Sequence, residues 1–310
     1  IAYRVSYGIA LTVTGPFGDP SEYADDLIDF ATFCARHSWT PVFYSVHKSQ
    51  RAELTKAGWD SLDVGTEMVV NPNEWQTRGK KWQDVRTAIN KAKRDGITDV
   101  LTTFKEAPFS VQTQIREISA QWAGKKALPE MGFTLGGVDE LIDSRVRLLY
   151  AVDGNGKVLG VTSWLPTYRD GTIIGWTLDF MRHRTDSVNG IMEFLIARMA
   201  ERLRDEGNVE FMSLSAAPLA GMGSNESEHE ESEVLRHALQ MVADIMEPAY
   251  GFHSLFRFKL KFHPDEEKVY ICYPDAAKLP QISLAVAQAY VPSLTPAEAM
   301  RFVRTIAPRD

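Results

Sequence analysis

The sequence predicts a mixed α/β fold, in which sheets containing antiparallel strand pairs are flanked by helices. Two patterns lead to this class. Apolar residues recur at helical spacing in several segments, as in residues 80–94 and 190–205. Short apolar runs are joined by turn sequences, and Asp-Gly-Asn-Gly at 153–156 is typical of a β-hairpin. Because hairpins join antiparallel strands, the sheets should be mixed rather than purely parallel.

The first half of the chain alternates between helices and strands. Asp19 is expected to cap a helix, with Pro20 at its first position and Glu22 three residues after the cap. The predicted elements are strands within 3–14, a helix ending near 37, a strand at 41–46, a short helix ending at Gly58, a strand at 67–70, a helix at 80–94 and a strand at 99–104.

The second half has a similar series of elements. We predict a helix at 110–123, hairpin strands at 146–152 and 158–164, a hairpin turn at 168–171 before a strand at 173–180, a helix at 190–205, a strand from 211, an acidic loop at 223–233, a helix at 232–246 and a final helix from Thr295. The similarity of the halves predicts two related units at 1–104 and 105–280, followed by a helical segment at 281–310.

Composition excludes several classes of protein. The 310 residues carry a net charge of −7, which argues against nucleic-acid binding over the whole surface. No apolar run is long enough to span a membrane. Cys34 and Cys272 lie in apolar surroundings and are predicted to be buried free thiols, which fits a reducing compartment. A first residue of Ile1 rather than Met suggests a piece of a longer protein.

The segment at 177–190 concentrates chemically useful groups. Asp179 and Arg182 stand at the end of an apolar strand, where a bulge or turn would bring them together. They form either a structural salt bridge or a site in which Asp179 orients an amine and Arg182 holds a phosphate or carboxylate. Asn189 and Gly190 precede a helix with Glu193 in its first turn, so this N-terminus is either simply capped by Asn189 or holds an anion.

Basic residues are concentrated in two places. Residues 78–94 contain seven basic residues against the single acid Asp84, which predicts a surface for RNA phosphates or anionic lipid headgroups, or else a merely solvated face. Residues 257–262 alternate, so a strand there would carry Arg257, Lys259 and Lys261 on one face, exposed at a sheet edge or facing anions.

The sequence does not contain the motifs of several other enzyme classes. The sequence has no Ser-His-Asp order, Walker loop or zinc spacing, which disfavours phosphoryl transfer from ATP and metalloenzyme chemistry. Acetyl-CoA transferases of the GNAT type carry a glycine-containing pyrophosphate loop before the equivalent helix. The glycine spacing at 184–190 differs from that loop, so CoA binding is disfavoured, and no cofactor or metal is expected.

Taken together, the chain resembles the catalytic region of the lysylphosphatidylglycerol synthase family, also called multiple peptide resistance factors. The resemblance rests on ordered short segments spread over about 250 residues. They lie at 15–20, 65–67, 79–96, 118–122, 130–136, 179–182, 189–194, 217–220 and 251–262. Phe180 replaces a common leucine, and the acidic segment at 223–233 is an insertion.

The resemblance implies two tandem GNAT-like domains and transfer of an aminoacyl group from aminoacyl-tRNA to a phosphatidylglycerol-type lipid. It implies a soluble domain at the cytoplasmic face of the membrane, beside an N-terminal transmembrane region absent here. The implied catalytic residues are Asp179, Arg182 and Lys259. We expect Asp179 to orient the α-amino group or assist proton transfer, and Arg182 and Lys259 to hold the lipid phosphate or the terminal phosphate of tRNA. Substrate binding is assigned to Glu130, Phe133, Asn189, Gly190, Glu193, Arg257 and Lys261, and tRNA binding to Lys80, Lys81, Arg86, Lys91, Lys93 and Arg94.

Three other functions stay open at this stage. A Fem-type peptidoglycan-precursor aminoacyltransferase would share tandem GNAT-like domains. A catalytically inactive lipid- or RNA-binding module would keep the basic surfaces. An acetyl-CoA transferase is disfavoured by the loop at 184–190. The sequence does not identify the amino acid that is transferred.

Overall fold

The computed structural model describes residues 1–124, 136–218 and 251–290, together with Phe133, Leu239, Gln240 and Glu247. Its strands are β1 (Tyr3–Ser6), β2 (Ile9–Thr12), β3 (Thr40–Val46), β4 (Asp60–Val70), β5 (Thr98–Thr102), β6 (Arg147–Val152), β7 (Val158–Arg169), β8 (Thr172–His183), β9 (Phe211–Pro218) and β10 (Asp265–Tyr273). Its helices are α1 (Tyr23–Arg36), α2 (Lys48–Lys56), α3 (Gln83–Arg94), α4 (Phe109–Gly124), α5 (Ile191–Glu206), α6 (Phe252–Leu260) and α7 (Leu279–Tyr290).

The ten strands form one mixed sheet in the order β1-β2-β3-β10-β4-β9-β8-β7-β6-β5. The pairs β2–β3 and β8–β9 are parallel, and the other neighbouring pairs are antiparallel. The predicted α/β class with a mixed sheet flanked by helices is confirmed. Strand β10, from the second half of the sequence, lies between β3 and β4 of the first half. The division at residues 104 and 280 stays a prediction.

Local patterns predicted most helices well. The apolar side of α3 buries Val85 and Ala92, with Trp82 buried just before the helix in a short 3-10 turn. The predicted stripe of α5 is buried from Ile191 to Leu203, and the two helices share one core cluster. Each fully buried large apolar side chain contributes about 1.5–3 kcal/mol to folding. Both predicted hairpins are present, because β6–β7 and β7–β8 are antiparallel neighbours.

The predicted strand at 257–262 is wrong, because residues 252–260 form helix α6. The alternation covers only six residues, and a pattern this short does not separate a strand from a helix. Gly251 starts the helix in the left-handed conformation, with φ of 63°. Residues two positions apart in the sequence are about 200° apart around a helix, so Arg257 and Lys259 do not share a face. Arg257 is exposed, whereas Lys259 is buried.

Several predictions lie outside the described residues. They are Glu130, the acidic loop at 223–233, most of the helix at 232–246 and the final helix from Thr295. The two cysteines are buried free thiols, as predicted. Within the described part of the chain, no helix combines the length and the apolar character that crossing a bilayer requires.

Candidate active site

A cavity of about 340 Å³ lies where strands β3, β4, β8 and β9 meet helices α4, α6 and α7. Its wall includes Asp179 and Arg182 from β8 and Lys259 from α6. These three side chains are the predicted catalytic residues, and they come from segments about 80 positions apart in the sequence. The fold therefore brings the Asp179 carboxylate and two potential cations into a single cavity.

A bulge in β8 aims Asp179 and Arg182 into this cavity. Thr162 of β7 pairs with Met181 and Trp164 pairs with Leu178, so β8 has one extra residue between these pairs. The amide of Phe180, within the bulge, donates to Ser163 Oγ at 3.1 Å. A bulge reverses the alternation of the residues that follow it. The predicted bulge at the strand end is thus confirmed, and Asp179 and Arg182 line the same cavity.

The strand β9 carries a second bulge, which lies beside the bulge of β8. Glu67 of β4 pairs with Ala216 and Val69 pairs with Ser213, which leaves an extra residue in β9. Ser215 lies within this bulge and has a φ of 65°, in the left-handed region that non-glycine residues rarely adopt. Its Oγ donates to the carbonyl of Leu178 in β8. Such bulges and strained residues are concentrated at functional sites.

Asp179 is held by the backbone of a neighbouring loop. The amide of Gly136 donates to its Oδ1 at 2.9 Å. A Cβ at position 136 would lie 1.8 Å from Asp179 Oδ2, so any other residue there would displace the carboxylate. Burial raises the pKa of Asp179 and the nearby Glu140 charge adds to this, while the Gly136 bond and Arg182 oppose the shift. The carboxyl group is therefore placed rigidly and is easier to protonate than an exposed aspartate.

Arg182 is buried between aromatic rings, with 6% of its surface exposed. Its guanidinium carbon lies 3.2 Å from the centroid of the Trp122 ring and 4.9 Å from that of Phe180. A flat guanidinium stacks on aromatic faces and still offers N–H donors at its edge. This arrangement suits recognition of a phosphate or carboxylate within the cavity.

Lys259 is 3% exposed and reaches from α6 to the bulge of β9. Its Nζ donates to the carbonyl oxygens of Ser215 and Ala216, each at 3.1 Å. Burial lowers the pKa of Lys259 to about 7, and the charge of Glu67 opposes this shift. A substantial fraction of this side chain is therefore uncharged at neutral pH.

A hydrogen-bonded group formed by His47 after β3, Glu67 of β4 and Ser213 of β9 lies at the cavity and was missed in the sequence. His47 Nε2 lies 3.2 Å from Glu67 Oε2, and Ser213 Oγ donates to the other oxygen of Glu67. Burial favours protonation of Glu67, yet the bonds from His47 and Ser213 and the charge of Lys259 together lower its pKa. The segment 65–67 supported the family resemblance, but nothing local to His47 indicates that it faces Glu67.

The predicted substrate-binding residues outside this cavity are placed differently. Gly190, not Asn189, caps α5, and Asn189 is exposed. The capping prediction for Asn189 is wrong because Gly190 has a φ of 91° and lies against α3, where a Cβ would be 2.9 Å from that of Ala88. Glu193 accepts a hydrogen bond from Lys261 at 2.8 Å. Phe133 packs on Tyr44 and Tyr290, which line the cavity.

The basic surface at α3 is partly confirmed as an exposed face. Lys80, Lys81, Lys93 and Arg94 are exposed and Lys91 is half-buried. Arg86 is different, because its guanidinium donates to the carbonyls of Thr77 and Gly79 at 2.6 and 2.9 Å. Arg86 therefore fixes the loop before the helix, while the exposed residues are free to meet solvent or a polyanion. Binding of tRNA by this surface stays a prediction.

Comparisons with known proteins identify relatives of this chain. An uncharacterized protein of Corynebacterium glutamicum is 39% identical over 294 residues, which cover 94% of this chain and 36% of that protein. The lysylphosphatidylglycerol biosynthesis bifunctional protein LysX of Gordonia bronchialis is 26% identical over 289 residues, covering 92% of this chain and 25% of LysX. The chain thus spans about a third or less of these relatives.

A solved structure shows the same fold. L-PGS from Bacillus licheniformis superposes with a TM-score of 0.75 at 22% identity, covering 91% of this chain and 83% of that chain. The family model described as phosphatidylglycerol lysyltransferase, C-terminal, matches residues 1–273. This match covers most of the 310 residues and confirms the resemblance noted in the sequence, so the chain belongs to the phosphatidylglycerol lysyltransferase C-terminal family.

Proposed function

We propose that this chain transfers an aminoacyl group from aminoacyl-tRNA to a hydroxyl of a phosphatidylglycerol-type membrane lipid. The observation that carries the proposal is the shared cavity of Asp179, Arg182 and Lys259. An aminoacyl ester brings an ammonium group, and a phospholipid brings a phosphate. A cavity with a fixed carboxylate and a stacked guanidinium matches both charges.

The two substrates have separate requirements within the cavity. Asp179 orients the α-amino group of the aminoacyl ester through its carboxylate, which the Gly136 amide holds in position. Arg182 holds the lipid phosphate through the edge of its guanidinium while Trp122 supports the flat face. The ester is already activated, so the main task of the site is to orient the reactants and stabilise the developing oxyanion.

The exposed face of α3 and the turn before it supports the tRNA part of the proposal. Lys80, Lys81, Lys93 and Arg94 present positive charge on a protein with a net charge of −7. Such a local concentration attracts a polyanion in spite of the overall charge. The lipid acceptor places the reaction at the cytoplasmic face of the cell membrane, where charged tRNA is available. The transferred amino group would make the lipid surface more positive.

One experiment tests the proposed reaction directly. The purified protein is incubated with a mixture of charged tRNAs and total bacterial lipid, and products are identified by mass. We expect an aminoacylated phospholipid with the wild type and roughly 100-fold less with Asp179→Asn, because the loss of the carboxylate charge misplaces the aminoacyl ester. Lys56→Ala is the control, because Lys56 is exposed on α2 and, among the described residues, pairs with Glu53 alone.

Three outcomes would contradict the proposal. Product on added muropeptide acceptors, but none on lipid, would identify a peptidoglycan-precursor aminoacyltransferase. Binding to liposomes without product would indicate a non-catalytic module. CoA binding detected by calorimetry, together with acetyl transfer, would identify an acetyl-CoA transferase.

A further inference from the structure

The hydrogen bonds of Lys259 define what its Nζ atom can do. Both of its acceptors, Ser215 O and Ala216 O, belong to the bulge of β9 and lie 3.1 Å away. Within the described residues, Lys259 has no third hydrogen-bond acceptor. A neutral amine has two N–H groups and one lone pair, whereas an ammonium has three N–H groups. Two carbonyls therefore satisfy both N–H groups of the neutral amine and leave its lone pair able to accept a proton, whereas the ammonium would have one N–H unpaired.

The burial of Lys259 also argues against the phosphate-binding role that the sequence suggested for it. A buried ammonium without a full set of acceptors is costly, because the charge loses its hydration. Arg182 already supplies a permanent cation to the same cavity, since a guanidinium stays protonated at any physiological pH. The cavity thus contains one side chain suited to hold an anion and one suited to accept a proton.

We propose that Lys259 is the general base of the site and takes the proton of the attacking acceptor hydroxyl. The inference rests on the proposed aminoacyl transfer and specifies how its first step occurs. The hydroxyl proton moves to Lys259 Nζ as the hydroxyl oxygen bonds to the ester carbonyl carbon. The bond from that carbon to the ribose oxygen of tRNA then breaks, and the ribose oxygen takes the proton from Lys259. No external proton donor, acceptor or oxidant is needed.

The surroundings of Lys259 fit such a proton transfer. The titratable and charged groups that line the same cavity are Tyr44 of β3, His47 after it, Glu67 of β4, Asp179 and Arg182 of β8, and Tyr290 of α7. Among them, the Glu67 charge acts directly to favour the ammonium form, against the larger effect of burial. A general base works best when its pKa is close to the working pH. A lysine that titrates near 7 meets this requirement.

The test uses the whole chain with charged tRNA and lipid vesicles that contain phosphatidylglycerol. We expect Lys259→Arg and Lys259→Met to lower kcat/KM at least 100-fold, the usual lower range for losing a general base. The wild-type rate should rise with pH through about 7, following deprotonation of Lys259. Binding of tRNA and circular dichroism spectra should be unchanged, which shows that the variants are folded.

Amine rescue separates a proton-transfer role from a structural one. In Lys259→Ala, small primary amines can enter the space left by the side chain. The rate of lipid ester formation should then increase in proportion to the free-base concentration of the amine. Direct aminolysis gives a separate amide product, which mass analysis distinguishes. Lys56→Ala serves as the control, with no change in rate and no response to amines.

The outcomes distinguish this inference from the proposed function. A wild type that forms no aminoacylated lipid with any charged tRNA would overturn both. An active wild type whose Lys259→Arg variant stays within threefold of it would overturn only the role of Lys259 as base. The same conclusion would follow if a folded Lys259→Ala variant were inactive and no amine restored its activity.

Discussion

The imidazole Nε2 of His47 lies 3.2 Å from a carboxylate oxygen of Glu67, with the two side chains 41% and 18% exposed. The bond to Glu67 raises the pKa of His47 above its ordinary 6.5, although partial burial opposes the shift. The pair connects the residue that follows β3 to strand β4 at the cavity wall, so we expect its charge state to affect both stability and catalysis.

The pH dependence of the free energy of unfolding should reveal the interaction between His47 and Glu67. The raised folded-state pKa of His47 stabilises the fold below pH 6.5, and that contribution is lost as pH rises through this folded-state pKa. The lowered pKa of Glu67 stabilises the fold above pH 4.5, and that contribution is lost as pH falls through the folded-state pKa of Glu67. His47→Gln should therefore reduce the free energy of unfolding most between pH 4.5 and 6.5.

The size of this effect is modest because the imidazole is 41% exposed. We expect about 0.5–1 kcal/mol at most, as for other solvent-accessible ion pairs. Urea unfolding of both proteins at pH 5.5 and pH 9 measures it. An equal difference at the two pH values would contradict the assigned charge states.

Glu67→Gln should shift the pH profile of the reaction. The Glu67 charge favours the ammonium form of Lys259, so its removal lowers the pKa of Lys259 further. The acid limb of the kcat/KM profile should then move to lower pH. Glu267→Gln is the matched control, because Glu267 is more exposed and lies 3.8 Å from the other side of His47. A shift to higher pH in Glu67→Gln would contradict this interpretation.

Gly136→Ala should damage the site without unfolding the protein. Its Cβ would meet Asp179 Oδ2 at 1.8 Å, so the carboxylate must move. A displacement of about 1 Å at a reacting group can reduce the rate about 100-fold. Gly137→Ala provides a neighbouring control, since its Cβ would lie 3.3 Å from Glu140 Oε2, a contact that a small shift of this side chain relieves. The measurement is kcat/KM with a thermal melt, and equal rates in both variants would contradict the placement of Asp179.

Arg182→Lys tests recognition by the stacked guanidinium. The substitution keeps the charge but loses the flat contact with Trp122, at 3.2 Å, and the paired donors. We expect about a tenfold higher KM for the lipid, since a desolvated cation–π contact contributes on the order of 1–2 kcal/mol. Steady-state kinetics with increasing phosphatidylglycerol measures this change. An unchanged KM for lipid would assign Arg182 to another substrate.

The double variant Lys80→Gln, Lys81→Gln tests the basic surface. Both residues are exposed, so their neutralisation should weaken tRNA binding without altering the fold. The slope of log K against log salt should fall by about 1–2, as each lost phosphate contact removes roughly 0.7–0.9. Filter binding at several salt concentrations measures the slope. Lys48→Gln, Lys56→Gln on α2 is the control, and an equal loss there would indicate non-specific attraction.

Local sequence patterns predicted the parts of the fold that depend on neighbours along the chain. The apolar stripes of α3 and α5 follow from helical spacing, and the turn at 153–156 follows from the preference of glycine and asparagine for tight turns. The same reasoning failed at 257–262, where six alternating residues fit a strand and α6 formed instead. There the packing of Phe256 and Phe258 against the core outweighed the local pattern.

The sequence alone determined the fold class, most helices and the family, together with Asp179, Arg182 and Lys259 as members of one site. The tertiary structure decided how they meet. Bulges in β8 and β9 are register shifts between paired strands, and their positions depend on neighbours that a local pattern does not contain. His47, Glu67 and Lys259 come from three distant segments, so only folding brings them to one cavity and sets their charges.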